Sequence, residues 1–210
     1  RDRVYEDVVS RLSVAVAEKL RETGPLDADR LALAYRLTLK ILFRLLFQAY
    51  AEDIRVLPFQ RNERYTAASL KQLARHMADD PHQADSAKST SLFDGLLQVW
   101  RVIDHGDPDW GVPAYNGGLF GTDPELQPDG AAIETLALTN DIMGPALRGL
   151  LVDAAHDGTI GPVDFRSLDV RDFGTIYEGL LEAGLSIADV DLAYIEGKGR
   201  SEEHTSELQS

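Results

Sequence analysis

The chain has 210 residues, of which 44% are hydrophobic and 27% charged, so its composition is that of a globular protein and not of a disordered one. It contains no cysteine, which excludes disulfide frameworks and cysteine-ligated zinc sites and is typical of a cytoplasmic protein. The formal net charge of −14 argues against a general nucleic-acid-binding surface, because neutralising phosphates requires clustered lysine and arginine. Any contact with DNA must therefore be local.

Two helices are predicted in the first quarter of the chain. Apolar side chains recur at helical spacing over residues 5–23, and the Gly24-Pro25 pair ends that pattern. Asp27 is a residue type that caps helices, so a second helix should begin after it and run to about Asp53.

The second predicted helix carries a stripe of cations. Residues 31–51 are apolar around most of the helix but are interrupted by Arg36, Lys40 and Arg44. A membrane span needs about 20 apolar residues with few charges, so the segment predicts a buried helix and no membrane contact. The three cations lie one turn apart, which makes them the candidate contacts for DNA phosphates. Salt bridges to neighbouring helices are the favoured alternative in so acidic a chain.

Four further helices are expected, because apolar residues fall on one face at helical spacing. They cover residues 67–78, 92–104, 131–155 and 170–185. Thr66 should cap the first of them, and Gly144-Pro145 should bend or restart the third. A polar loop over residues 79–91 and a short extended stretch over residues 161–169 separate them.

Residues 105–130 are dense in glycine, proline and aspartate, and no regular element should persist through so many breakers. Trp110, Tyr115 and Phe120 are expected to pin this loop to the helices. Strands and helices do not alternate along the chain, so no complete Rossmann-like domain is expected. The predicted fold is mainly α, an irregular multi-helix domain with a long Gly/Pro-rich loop.

The tetrapeptide from Asp107 to Trp110, DPDW, resembles the signature with which amino-methyltransferases hold a flipped adenine. Its third position, Asp109, is not proline, and neither a strand nor a glycine-rich cofactor loop precedes it. An ordinary turn therefore explains these residues better than an adenine site does.

The stretch YNGGLFG, residues 115–121, could present backbone N–H groups to a phosphate. Positive φ angles at Asn116, Gly117 and Gly118 would explain the same residues without a ligand. The turn is the favoured interpretation.

Metal chemistry has little support in the sequence. Glu196 and Lys198 have the E-x-K spacing of some metal-dependent nucleases, but Asp189 and Asp191 are too near to supply the partner acid from a separate strand. None of the five histidines is paired with another at helical spacing. No catalytic, cofactor-binding or metal-binding residue is predicted.

Three stretches are more specific together than any one alone: residues 45–65, 112–123 and 163–185. In this order and spacing they resemble the helical region that precedes the catalytic domain of large adenine-specific DNA methyltransferases in restriction-modification and phage-defence systems of the BREX and DISARM types. The resemblance implies that residues 1–194 are a helical module ahead of a methyltransferase domain, with residues 195–199 starting the linker.

In that family the catalytic domain binds S-adenosylmethionine through a glycine-rich loop and holds the target adenine with an N-P-P-aromatic motif. Neither motif occurs in this sequence. The resemblance therefore implies a non-catalytic fragment of a cytoplasmic enzyme, with no cofactor of its own. Its expected partners are the catalytic domain and, through the whole enzyme, DNA. A helical scaffold or protein-interaction module without enzymatic activity is the alternative.

The stretch RSEEHTSELQS, residues 200–210, contains one aliphatic side chain and no helical periodicity. With suitable codons it is similar to the translated read of a widely used sequencing-library adapter. Residues 200–210 are therefore interpreted as a non-native tail, and the parent sequence is expected to continue differently after Gly199.

Overall fold

The computed structural model describes residues 2–80, 87–154, 158–167, 174, 184–187 and 192–195. Within these residues the chain is mainly helical, as the sequence predicts. The helices are α1 (Asp2–Arg21), α2 (Ala28–Asp53), α3 (Glu63–Ala68), α4 (Leu70–Asp79), α5 (Ser91–His105), α6 (Pro128–Ile133) and α7 (Asn140–Leu151). The strands are β1 (Val152–Ala154), β2 (Ile160–Pro162), β3 (Gly184–Ile187) and β4 (Leu192–Ile195).

Helix α2 lies at the centre of the fold. Its side chains are buried on several sides between Leu31 and Glu52, and α1, α4, α6 and β3 pack around it. This arrangement follows from its composition, because a helix that is apolar around most of its circumference must be surrounded by other elements. Asp27 caps α2 as predicted, accepting a hydrogen bond from the N–H of Arg30 at 2.9 Å.

Helix α1 covers one side of α2 and also packs against α7. It buries Val9, Leu12 and Val16 completely, one helical turn apart. Full burial of an aliphatic side chain contributes roughly 1.5–3 kcal/mol, so contacts of this kind are the main source of stability in the helical body.

The strands form two separate antiparallel hairpins. Val152 lies opposite Pro162 in the first, and Gly184 lies opposite Ile195 in the second. Strand β3 packs against α2 and β4 packs against α1. The described part of the chain contains no larger sheet and hence no Rossmann-like domain. None of its helices is long and apolar enough to cross a membrane.

The predicted cap at Thr66 is wrong. Thr66 lies inside α3, where its hydroxyl donates to the carbonyl of Asn62 at 2.6 Å. Asn62 caps α3, and Ser69 both ends α3 and caps α4 by accepting from the N–H of Gln72 at 3.1 Å. Three capping residue types lie within eight positions, and the two with extended backbone, Asn62 and Ser69, are the caps.

The predicted helix over residues 131–155 is interrupted at a different place. Helix α6 ends at Ile133 and α7 begins at Asn140, whereas Gly144 and Pro145 lie inside α7. Leu136 and Leu138 of the intervening segment are buried, so packing holds the chain out of helical conformation there. Pro145 has no N–H for a helical hydrogen bond and crowds the preceding turn, but α7 continues through it.

Most of the last predicted helix, residues 170–185, lies outside the described residues. Its final two residues, Gly184 and Leu185, belong to β3 and not to a helix. Strand β4 ends at Ile195, one residue past the predicted module boundary. The E-x-K motif and the tail over residues 200–210 also lie outside the described residues.

The loop over residues 105–130 has little regular structure, as predicted, until α6 begins at Pro128. It contains a 3-10 turn, Pro108–Trp110, and an isolated bridge between Asp107 and Val112. Trp110 and Phe120 are buried, and Tyr115 packs against the core. These rings attach the loop to the helical body.

Candidate functional site

The three cations of α2 have different environments. Arg36 lies on the surface and donates two hydrogen bonds of 3.2 Å to the carboxylate of Asp129, so the salt-bridge interpretation is confirmed for it. Lys40 is half-buried, and burial, followed by repulsion from Arg44, lowers its pKa. Arg44 is fully buried, so its guanidinium is not available to a DNA phosphate. The DNA contact of Arg36 and Lys40 stays a prediction.

Arg44 binds the long loop through backbone carbonyls. Its Nε donates to the carbonyl of Leu119 at 2.8 Å. Its Nη2 donates to the carbonyls of Phe120 at 3.1 Å and Gly121 at 3.3 Å. Three successive carbonyls therefore surround one charged side chain, and this attaches the loop to the middle of α2.

Aromatic rings also stabilise the charge of Arg44. The guanidinium carbon lies 5.1 Å from the ring centre of Trp100 and 5.8 Å from that of Phe120, within the range of a cation–π contact. Burial lowers the pKa of Arg44 to about 10, and attraction to Glu134 and Asp104 opposes that shift. The side chain therefore stays protonated at neutral pH.

Glu52, in the last turn of α2, joins three helices. Its Oε1 accepts hydrogen bonds of 3.0 Å from Nε2 of Gln48, the hydroxyl of Tyr65 and the N–H of Leu70. Its Oε2 accepts from the N–H of Lys71 at 2.9 Å. Burial raises the pKa of Glu52, and the four donors oppose that shift. The carboxylate thus satisfies two free N–H groups at the start of α4.

Asp53 and Lys71 attach the segment that follows β2. Their side chains form an ion pair of 2.6 Å between Oδ1 and Nζ. The same Nζ donates to the carbonyl of Val163 at 2.9 Å, and Oδ2 of Asp53 accepts from the N–H of Phe165 at 2.7 Å. Phe165 itself is buried, so polar and apolar contacts act together here.

Sequence reasoning missed the roles of Glu52 and Asp53. The signal was present, because two adjacent carboxylates at the C-terminus of a helix oppose the helix dipole. Such a placement indicates that tertiary partners compensate for the unfavourable position.

The described parts of the three sequence blocks that carry the resemblance include contacts at the C-terminal half of α2. Phe47 of the first block contacts Phe120 of the second edge to face, with 5.4 Å between the ring centres. Asp53 of the first block binds the backbone of Phe165 in the third. Residues far apart in the sequence therefore form one spatial unit.

The DPDW stretch is an ordinary turn, as favoured from the sequence. Oδ1 of Asp107 accepts from the N–H groups of Asp109 and Trp110, which caps the 3-10 turn. The ring of Trp110 is buried and meets that of Tyr65 edge to face at 6.5 Å. The aspartate and the aromatic residue thus both have structural roles.

Near the glycine-rich stretch the loop borders an open polar cleft of about 340 Å³. Asn116 has a positive φ of 44°, as predicted, whereas neither Gly117 nor Gly118 lies in the left-handed region. Asp104 and Asp123 contribute carboxylates to the cleft lining. Oδ1 of Asp123 already accepts two backbone N–H groups, so it stabilises the loop.

Metal chemistry gains no support from the described residues, which contain no cluster of three or more histidine, aspartate or glutamate side chains able to hold an ion.

Comparison with known proteins found no matching family model, no matching curated protein and no matching solved structure.

Proposed function

We propose that this helical domain is a non-catalytic module of an adenine-specific DNA methyltransferase from a restriction or phage-defence system. The convergence of the described parts of the three sequence blocks on the second half of α2 carries this proposal. Their contacts use particular side chains, since Asp53 binds the backbone of Phe165 and Phe47 packs on Phe120. A resemblance whose three blocks include residues in contact with one another supports a common architecture.

In such an enzyme the chemistry belongs to the catalytic domain. It would flip the target adenine out of the duplex and transfer a methyl group from S-adenosylmethionine to the amino nitrogen. The helical module would pack against that domain and help to position DNA. The module itself supplies no cofactor-binding residue under this proposal.

The test is the genomic DNA that follows the codon of Gly199. A reading frame that continues into a glycine-rich loop and an N-P-P-aromatic motif is expected. A natural stop codon there would contradict the proposal. Expression of the complete reading frame should then give methyl transfer from radiolabelled S-adenosylmethionine to adenine in DNA, and a complete protein without this activity would also count against it.

The alternative is a helical scaffold that recruits another protein. The net charge of −14 favours it, because an acidic surface is suited to a basic protein partner. The same genomic sequence separates the two functions, since the scaffold needs no methyltransferase motifs downstream.

A further inference from the structure

The segment that runs from the end of α2 through α3 into α4 has a charge opposite to that of the rest of the chain. Residues 54–76 contain five cationic side chains and a single carboxylate, that of Glu63, in a protein with a net charge of −14. The cationic residues are Arg55, Arg61, Arg64, Lys71 and Arg75. Lys71 is held by Asp53, which leaves four arginines, all of them exposed.

Arg55 and Arg61 lie in the turn between α2 and α3, and Arg64 and Arg75 lie in the helices that follow it. Nη2 of Arg61 donates to the carbonyl of Arg55 at 2.6 Å, so these two residues adjoin. The guanidinium carbon of Arg75 lies 5.3 Å from the ring centre of Phe59, two residues before Arg61. Arg64 follows Arg61 by three residues and lies on the adjoining helix α3.

The guanidinium groups are held in place and still have donors for a ligand. All the hydrogen bonds from Arg61 to described residues come from Nη2, which leaves Nε and Nη1 for an outside acceptor. Arg64 stacks on Trp110, with 5.4 Å between its guanidinium carbon and the ring centre. Stacking on a ring orders a guanidinium without using its hydrogen-bond donors.

Carboxylates neutralise little of this charge. Within the described residues, Arg64 has one loose ion pair with Asp109 at 3.9 Å, and both side chains are mostly exposed. Arg55, Arg61 and Arg75 form no ion pair with a described carboxylate. Elsewhere on the surface, arginines such as Arg36 are paired with acids.

We propose that Arg55, Arg61, Arg64 and Arg75, the arginine surface, dock on the phosphate backbone of duplex DNA. Guanidinium groups bind phosphate oxygens in pairs, and ordered guanidiniums suit the regular phosphates of a duplex. The identity of the partner as DNA rests on the proposed function, whereas the position of the surface rests on the arginines. It lies at the end of α2 and not along the stripe predicted from the sequence.

An anionic membrane fits this surface less well. The aromatic rings beside the arginines, Phe59 and Trp110, are 7% and 4% exposed, so they lie beneath the guanidiniums and are not available for insertion. Ile54 and Val56 are the exposed apolar residues of the turn, at 41% and 43%. Two partly exposed aliphatic side chains supply little of the apolar area that interfacial binding requires.

Two variants of the complete chain with equal charge change test the proposal. One is R55Q/R75Q in the arginine surface, and the matched control is R36Q/K40Q in the stripe of α2. Binding to a fluorescein-labelled duplex is measured by fluorescence anisotropy between about 50 and 200 mM salt. Each variant removes two positive charges, so the change in net charge is the same in both.

We expect R55Q/R75Q to weaken DNA binding about tenfold at the lowest salt and to reduce the slope of log affinity against log salt by about 2. R36Q/K40Q removes the competing stripe predicted from the sequence and should stay within about twofold of the parent chain, because Arg36 is already paired with Asp129 and Lys40 is half-buried. Thermal unfolding by circular dichroism checks that each variant folds. If R55Q/R75Q does not fold, Arg64→Gln replaces it, with about half the change in slope.

The proposal is overturned if the parent chain does not bind the duplex at low salt, or if the loss occurs in R36Q/K40Q instead. Binding to phosphatidylserine vesicles without binding to DNA overturns it as well. None of these outcomes depends on the genomic sequence after Gly199, so the failure of the arginine surface and the failure of the methyltransferase assignment are distinguishable.

Discussion

Asp53 and Lys71 form a nearly buried ion pair, with side chains 8% and 16% exposed, that joins the end of α2 to α4. Both partners also bind the backbone of the segment after β2. Removal of one partner leaves an uncompensated charge in a poorly solvated place, which is more costly than the loss of a surface pair.

We therefore expect Lys71→Met to lower the free energy of unfolding by about 3 kcal/mol, measured by urea denaturation. The double variant D53L/K71M should recover part of this loss, because no unpaired charge remains. The exposed pair of Asp164 and Arg166 is the control, and Arg166→Gln should change stability far less than Lys71→Met does. Equal losses of stability from Lys71→Met and Arg166→Gln would contradict the stabilising role of the buried ion pair.

Glu52 should make stability fall as pH rises. Burial raises the pKa of its carboxyl in the folded state, so the folded protein binds the proton more tightly than the unfolded chain does. The contribution is favourable below the ordinary carboxyl pKa of 4.5 and is lost as pH rises through the folded value.

Replacement of Glu52 by Gln removes this titration. The stability of the parent protein minus that of Glu52→Gln should therefore be larger at pH 4 than at pH 8, measured by chemical denaturation at both values. A difference that grows with pH would show that the four hydrogen bonds outweigh burial.

Arg44→Met should lower stability by about 3 kcal/mol, because three carbonyls lose their donor while the replacement keeps most of the side-chain volume. Hydrogen exchange should become faster over residues 115–127, which Arg44 attaches to α2. Arg36→Met, on the same helix but exposed, is the matched control and should cost less than about 1 kcal/mol. Unchanged exchange in the loop would contradict the anchoring role.

Two glycines should respond to alanine in opposite directions. A Cβ on Gly130 would clash with the carbonyl oxygen of Gly121, so Gly130→Ala must displace the loop and should cost about 3 kcal/mol. Gly95 lies exposed in α5, where an added methyl group would meet no atom within 4 Å, and Gly95→Ala should add about 0.5–1 kcal/mol. Shifts of the melting temperature in the same direction would contradict the close approach at Gly130.

Local sequence signals were enough to predict the longest helices. The apolar period and the Asp27 cap predicted α2 to within a residue of its ends, because both act over a single helical turn. The extended stretch predicted over residues 161–169 overlaps β2, but β1 lies at the end of the segment predicted as helix over residues 131–155. Each of these strands has three residues and depends on pairing with the other. The break between α6 and α7 was placed wrongly, because burial of Leu136 and Leu138 and not a local breaker sets it.

The sequence by itself determined that the chain is mainly helical and that α2 is its centre. It could not determine which cation of α2 is buried, because helical spacing places Arg36, Lys40 and Arg44 on one arc without saying what covers that arc. The tertiary structure covers Arg44 with Trp100 and the loop carbonyls and leaves Arg36 exposed. It also holds Arg64 and Arg75 in place, since their contacts with Trp110 and Phe59 form only when the chain folds.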